Sequence, residues 1–130
     1  MKNIINRIAL TMLCCVLLCG MTGCSSASYH KISAEEAVKM MEESQDFILL
    51  DVRSESEFRE RRIEGAVLIP NTELESRAEE ELPDKDQLIF VYCRSGARSE
   101  SAARALVEMG YTNVYDIGGI INWPFETISG

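Results

Sequence analysis

Four apolar runs, separated by segments with a helical pattern, constrain the fold of this chain more than any other feature. The runs are "FILLDVR", "GAVLIP", "QLIFVY" and "NVYDI". A short continuous apolar run is typical of a strand that is buried on both faces. Because these strands alternate with helical segments, they predict a parallel sheet with helices on both faces. The active site of such a sheet lies at the carboxyl ends of its strands.

The helical segments carry recognisable start and stop signals. Ser33, with Glu36 three residues later, predicts a capped helix over "SAEEAVKMMEES". A short helix is predicted at "SEFRERR", and Asn71 is the predicted cap of "NTELESRAEEEL". The clearest helix is "SESAARALVEMG", which Gly110 ends.

The start of the chain is typical of a bacterial export signal. Two basic residues precede an uncharged apolar run over 8–21, and "TGC" follows directly. Small residues before Cys24 resemble the lipobox of bacterial lipoproteins, in which the cysteine receives lipid and becomes the new N-terminus. We therefore expect a signal peptide over 1–23 and lipidation at Cys24. A retained anchor helix is the alternative, and either form would be an exported, membrane-anchored protein of the cell envelope.

Length and charge limit the rest of the chain to one small acidic domain. The chain has 130 residues and a formal net charge of −8, which opposes binding to nucleic acid. The polar segment over 24–31 is predicted to be a tether, and 32–130 the folded domain. We expect this domain to be a monomer.

Cys93 is the cysteine whose chemistry the domain can use. The other four cysteines lie within 1–24, and one cysteine with one histidine cannot form a structural zinc site, so no metal is expected. Cys93 ends an apolar strand and begins a loop with Arg94, Gly96 and Arg98 before a helix. Free N–H groups at a helix start, two arginines and a glycine that permits a tight turn all favour the thiolate over the thiol. Cys93 is therefore the predicted nucleophile, and a buried inert thiol is the alternative.

The loop sequence "CRSGAR" resembles the active-site loop of the single-domain rhodanese family of sulfurtransferases. "LLDVRSESEF", "IEGAVLIP" and "VYDIGGIINW" follow the same family order, so the resemblance covers nearly all of 32–125. It implies a rhodanese-like α/β fold with a five-stranded parallel sheet and Cys93 as the sulfur acceptor. It also implies that the following loop residues hold the transferred sulfur and its donor: Arg94, Ser95, Gly96, Ala97 and Arg98.

Other positions match or depart from the family pattern. Asp51 and Arg53 match its "DVR" motif, where they form either a supporting ion pair or part of the catalytic site. Arg61, Arg62 and Leu68 stand where the family often has glycine, histidine and asparagine, so altered local contacts are expected there.

The resemblance implies a function without a cofactor. The donor would be thiosulfate or a persulfide, and the acceptor a thiol or cyanide. A cysteine phosphatase is disfavoured, because its loop has five residues between cysteine and arginine, whereas four separate Cys93 from Arg98. A non-catalytic sulfur carrier or binding module tethered to the membrane is the main alternative. A redox role lacks a second cysteine in the domain to resolve a disulfide.

Overall fold

A computed structural model describes residues 28–130, and the predicted signal peptide and Cys24 lie outside this range. The described residues form one sheet of five strands in the order β1-β5-β4-β2-β3, and every neighbouring pair is parallel. This architecture confirms the predicted fold class. The strands are β1 (His30–Lys31), β2 (Phe47–Asp51), β3 (Val67–Leu68), β4 (Leu88–Cys93) and β5 (Val114–Gly119).

Helices cover both faces of the sheet, as predicted. They are α1 (Ala34–Glu43), α2 (Glu55–Glu60), α3 (Leu74–Glu81) and α4 (Ala97–Glu108). On one face, Ala37 of α1 packs in a cluster with Phe90 and Tyr92 of the central strand β4. On the other face, a larger cluster contains Ala78 of α3, Leu106 of α4, Leu50 of β2, and Ile89 and Val91 of β4. Two buried apolar layers therefore pack against the two faces of the sheet, and β4 lies between them.

The predicted starts of α1 and α4 have different outcomes. Ser33 and Glu36 form the expected capping box at the start of α1. Helix α4 begins at Ala97, two residues before the predicted segment, and its N-cap is Gly96. Glycine has no side chain that could accept a capping hydrogen bond. A search for Ser, Thr, Asp or Asn as the cap therefore places the start of α4 too late.

Two other predicted boundaries are wrong. The run "GAVLIP" was expected to be a strand buried on both faces, but β3 has two residues at the sheet edge, and Val67 is 44% exposed. Asn71 lies in a 3₁₀ turn over 71–73 and makes no side-chain cap, because α3 starts later, at Leu74. Ile69 is the one fully buried residue of "GAVLIP", so the apolar signal of this run came from one anchoring residue.

The end of the predicted tether belongs to the sheet. His30 and Lys31 form β1, which pairs with Tyr115 and Asp116 of β5. A strand of two exposed residues carries no apolar pattern. Backbone pairing and the stacking of the His30 ring on Tyr115, with centroids 4.9 Å apart, hold it on β5. Within residues 28–130, none of the helices combines the length and apolar character that crossing a bilayer requires.

Candidate active site

Cys93 lies at the carboxyl end of β4, in the position that the sequence predicts. The residue is 1% exposed, and its Sγ accepts a hydrogen bond from the N–H of Gly96 at 3.0 Å. Gly96 reaches this position with φ of 107°, a value that side chains other than glycine rarely adopt. The chain then enters α4 directly, so the sulfur lies against a tight turn at a helix N-terminus. This geometry stabilises negative charge on the sulfur.

A second glycine lets the cysteine loop sit close to β5. Gly119 pairs with Cys93 in the sheet. A Cβ atom at Gly119 would lie 2.2 Å from the carbonyl oxygen of Arg94 and 2.7 Å from the Cα of Ser95. Because these contacts are with backbone, no side-chain movement could relieve them. Gly119 therefore makes room for the cysteine loop.

A buried Ser–Asp pair supports the cysteine loop, and it was not predicted from the sequence. Ser99 and Asp116 are both fully buried, and the Ser99 hydroxyl donates to Asp116 Oδ1 at 2.7 Å. The same hydroxyl lies 3.0 Å from the carbonyl oxygen of Gly96. Asp116 Oδ1 also accepts the N–H of Gly118 at 3.0 Å. Asp116 thus ties the first turn of α4 to the carboxyl end of β5.

The second oxygen of Asp116, Oδ2, is buried and has no hydrogen-bond partner among residues 28–130. In the same part of the chain, no lysine or arginine lies within salt-bridge distance of Asp116. A single acid inside the apolar run "VYDI" was the available signal, since a buried carboxylate usually serves a specific contact.

Asp51 and Arg53 form a buried ion pair next to the site. Asp51 is fully buried and Arg53 is 4% exposed, and their closest side-chain atoms are 2.6 Å apart. Arg53 also donates to the carbonyl oxygen of Arg61 at 2.6 Å, and its backbone N–H donates to Asp51 at 2.9 Å. Burial raises the pKa of the neighbouring Tyr92 phenol, and the charge of Asp51 adds to that effect. Asp51 and Arg53 thus form an ion pair, which is one of the two roles expected for the "DVR" residues.

Arg98 is held by a carboxylate on α2. Its two terminal nitrogens donate to the two carboxylate oxygens of Glu57, each at 2.8 Å. Hydrogen bonding to Arg98 holds the pKa of Glu57 well below its usual range, and the bonds from Ser54 lower it further. The predicted contact of Arg98 with a donor therefore requires its guanidinium group to leave Glu57 or to use a remaining N–H.

The remaining predicted loop residues occupy the outer side of the turn. Arg94, Ser95 and Ala97 are exposed. The carbonyl oxygen of Arg94 accepts the N–H of Ile121 at 3.2 Å, which joins the loop to the segment after β5. The structure therefore brings the predicted loop residues together around Cys93. No group of three or more metal-ligating side chains lies together within 28–130.

The sequence of residues 33–124 matches the family of the rhodanese-like domain. The chain belongs to this family. It is 35% identical over 81 residues to the thiosulfate sulfurtransferase PspE of Escherichia coli, a match that covers 62% of this chain and 78% of PspE. It is 34% identical over 96 residues to the thiosulfate sulfurtransferase GlpE of Coxiella burnetii, covering 73% of this chain and 87% of GlpE.

Solved structures agree with this assignment. A rhodanese with anions from E. coli superposes with a TM-score of 0.60 at 34% identity, covering 64% of this chain and 98% of that one. A rhodanese-related protein from Thermoplasma volcanium gives a TM-score of 0.64 at 27% identity, covering 77% and 98%. Membership in a rhodanese-like sulfurtransferase family and the rhodanese-like fold are therefore established for this chain.

Proposed function

We propose that this protein transfers sulfane sulfur through a persulfide on Cys93. The observation that carries the proposal is the hydrogen bond from Gly96 N–H to the Cys93 sulfur, in a loop bounded by a strand end and a helix start. This arrangement places an N–H donor against the sulfur at a strand end, which suits a cysteine nucleophile. The sulfurtransferase relatives PspE and GlpE support the same chemistry.

The proposed reaction has two steps that balance. The Cys93 thiolate attacks the outer sulfur of thiosulfate, the S–S bond of the donor breaks, and sulfite leaves with the electron pair. The enzyme then carries a persulfide. Cyanide or a thiolate attacks its outer sulfur, and the Cys93 thiolate leaves. Thiocyanate or a new persulfide is the product.

Steady-state kinetics test this mechanism. The rate of thiocyanate formation from thiosulfate and cyanide should show the parallel-line pattern of a ping-pong reaction. Cys93→Ser should abolish it, because serine is not ionised near neutral pH. A Cys93→Ser protein that keeps the wild-type rate would exclude the proposal.

A sulfur carrier with slow turnover is the second candidate. It is favoured by the 1% exposure of Cys93, which limits access of free reagents, and by a relative with the name putative sulfur carrier protein, YrkF of Bacillus subtilis. YrkF is 35% identical over 104 residues, which cover 79% of this chain and 55% of YrkF. A stable persulfide with very slow release to cyanide would favour this candidate.

We also propose that the protein is exported and anchored in a membrane of the cell envelope through lipid on Cys24. The support is the charged start, the uncharged apolar run and the "TGC" junction, which coincide at this position. Cys24→Ala should leave the precursor unprocessed or release the domain from membranes, as fractionation and mass spectrometry would measure. A soluble wild-type protein with a free Cys24 thiol would contradict the proposal.

A further inference from the structure

A cleft of about 390 Å³ adjoins the cysteine loop. This volume lies within the range of roughly 300–1,000 Å³ that is usual for sites of small organic molecules. Arg94, the residue after Cys93, lines the cleft together with Arg61 and Ile121. The Ile121 N–H donates to the Arg94 carbonyl oxygen, so the cleft and the loop share a wall.

The cleft holds a surplus of positive charge after its ion pairs are counted. Asp51 neutralises Arg53, and Arg98 neutralises Glu57. Arg61 and Arg94 remain, since neither lies within salt-bridge distance of a carboxylate of residues 28–130, and Glu60 is the remaining acid of the lining. In a chain of net charge −8, this local excess is the feature that would attract an anion.

Two hydrogen bonds hold the side chain of Arg61 at the cleft. Its Nε donates to Thr127 Oγ1 at 3.1 Å, and Nη2 approaches the carbonyl oxygen of Ile120 at 3.4 Å. Nη1 makes no hydrogen bond within the described part of the chain. Arg61 also stands where the family pattern often has a glycine, so its side chain adds a cation that the pattern does not require.

We propose that Arg61 is a specificity-determining residue that, with Arg94, binds the anionic group of the sulfur donor. This inference rests on the proposed function. Ile121 is 57% exposed in the same cleft, and it offers an apolar surface beside the two cations. The donor class that fits both features is an organic thiosulfonate. Attack by the Cys93 thiolate on its outer sulfur breaks the S–S bond, a sulfinate leaves with the electron pair, and Cys93 keeps the persulfide.

Anion selection can be measured without sulfur transfer, by alkylating Cys93 in the full chain. Iodoacetate is anionic and iodoacetamide is neutral, and both release iodide when the thiolate attacks. The rate with iodoacetate divided by the rate with iodoacetamide is measured at Cys93 by peptide mass spectrometry. This ratio should fall about threefold to tenfold in Arg61→Gln. Arg61→Lys should keep most of the ratio. Arg104→Gln is the control, because it removes a cation that is 64% exposed and paired with Glu100 on α4.

The outcomes separate this inference from the proposed function. If Arg61→Gln has the wild-type ratio, or if Cys93 reacts with neither reagent, the inference is wrong whether or not a persulfide forms. If the ratio falls as expected but neither thiosulfate nor benzenethiosulfonate adds sulfur to wild-type Cys93, the anion selection stands and the proposed function is wrong.

The donor class has its own test in single-turnover persulfide formation. Benzenethiosulfonate should react faster than thiosulfate with the wild-type protein. Ile121→Ser should reduce the rate with benzenethiosulfonate by about threefold and leave the rate with thiosulfate unchanged. Equal effects on both donors would overturn the assignment of an organic donor.

Discussion

Two buried carboxylates flank the cysteine strand, and their surroundings differ. Asp51 ends β2 and has a complete ion pair with Arg53. Asp116 lies in β5 with one oxygen bonded to Ser99 and Gly118 and the other without a partner among residues 28–130. The first holds Arg53, which donates a hydrogen bond to the carbonyl oxygen of Arg61 beside the site. The second supports the cysteine loop itself through hydrogen bonds. An ion pair therefore serves stability in one region, and hydrogen bonds to a carboxyl group serve loop geometry in the other.

The largest effect on stability is expected at Asp51. Asp51→Ala leaves the Arg53 guanidinium buried without its counter-charge, which should lower the free energy of unfolding by about 3–5 kcal/mol. Urea unfolding measures the change. Arg59→Ala is the control, since it breaks a pair in which both side chains are mostly exposed. Similar losses of unfolding free energy in the two variants would show that the buried pair stabilises the fold no more than an exposed pair does.

An intermediate effect is expected at Asp116, where the comparison concerns the loop. Asp116→Ala removes the acceptor of Ser99 and Gly118 and should cost about 1–3 kcal/mol. Asp116→Asn keeps an acceptor oxygen and should keep most of the stability. Asp116→Ala should also form the persulfide more slowly, per folded molecule, than Asp116→Asn does. If Asp116→Ala loses stability but forms the persulfide at the wild-type rate, Asp116 serves the fold and not the loop.

The smallest effect is expected at Glu57, which is partly exposed. Because pairing with Arg98 lowers the pKa of Glu57 from its ordinary 4.5, its contribution is complete above about pH 4.5 and is lost as the pH falls further. Glu57→Gln should therefore lower the free energy of unfolding by about 1 kcal/mol at most near neutral pH. Urea unfolding of both proteins at several pH values gives the difference. A difference that grows towards acid pH would contradict this account.

The sequence predicted the elements that carry strong local signals. Apolar runs located β2, β4 and β5, and Ser33 marked the start of α1. β1 was missed because its two exposed residues pair through backbone, and α4 was placed late because Gly96 caps it without a side chain.

The candidate site divides in the same way. Cys93 and its loop follow from consecutive residues, and so do Asp51 and Arg53, which are two positions apart. The Asp116–Ser99 bond and the Glu57–Arg98 pair join residues 17 and 41 positions apart. Such pairs depend on how β5 and α2 pack beside α4, and a single sequence gives no direct signal for them.

The measurement that tests the central claim most directly is the mass of the protein after incubation with thiosulfate. We expect the wild-type chain to gain the mass of one sulfur atom, located at Cys93 by peptide analysis and removed by cyanide. Cys93→Ser should gain nothing at this position. A folded wild-type protein whose Cys93 peptide carries no added sulfur would contradict the account.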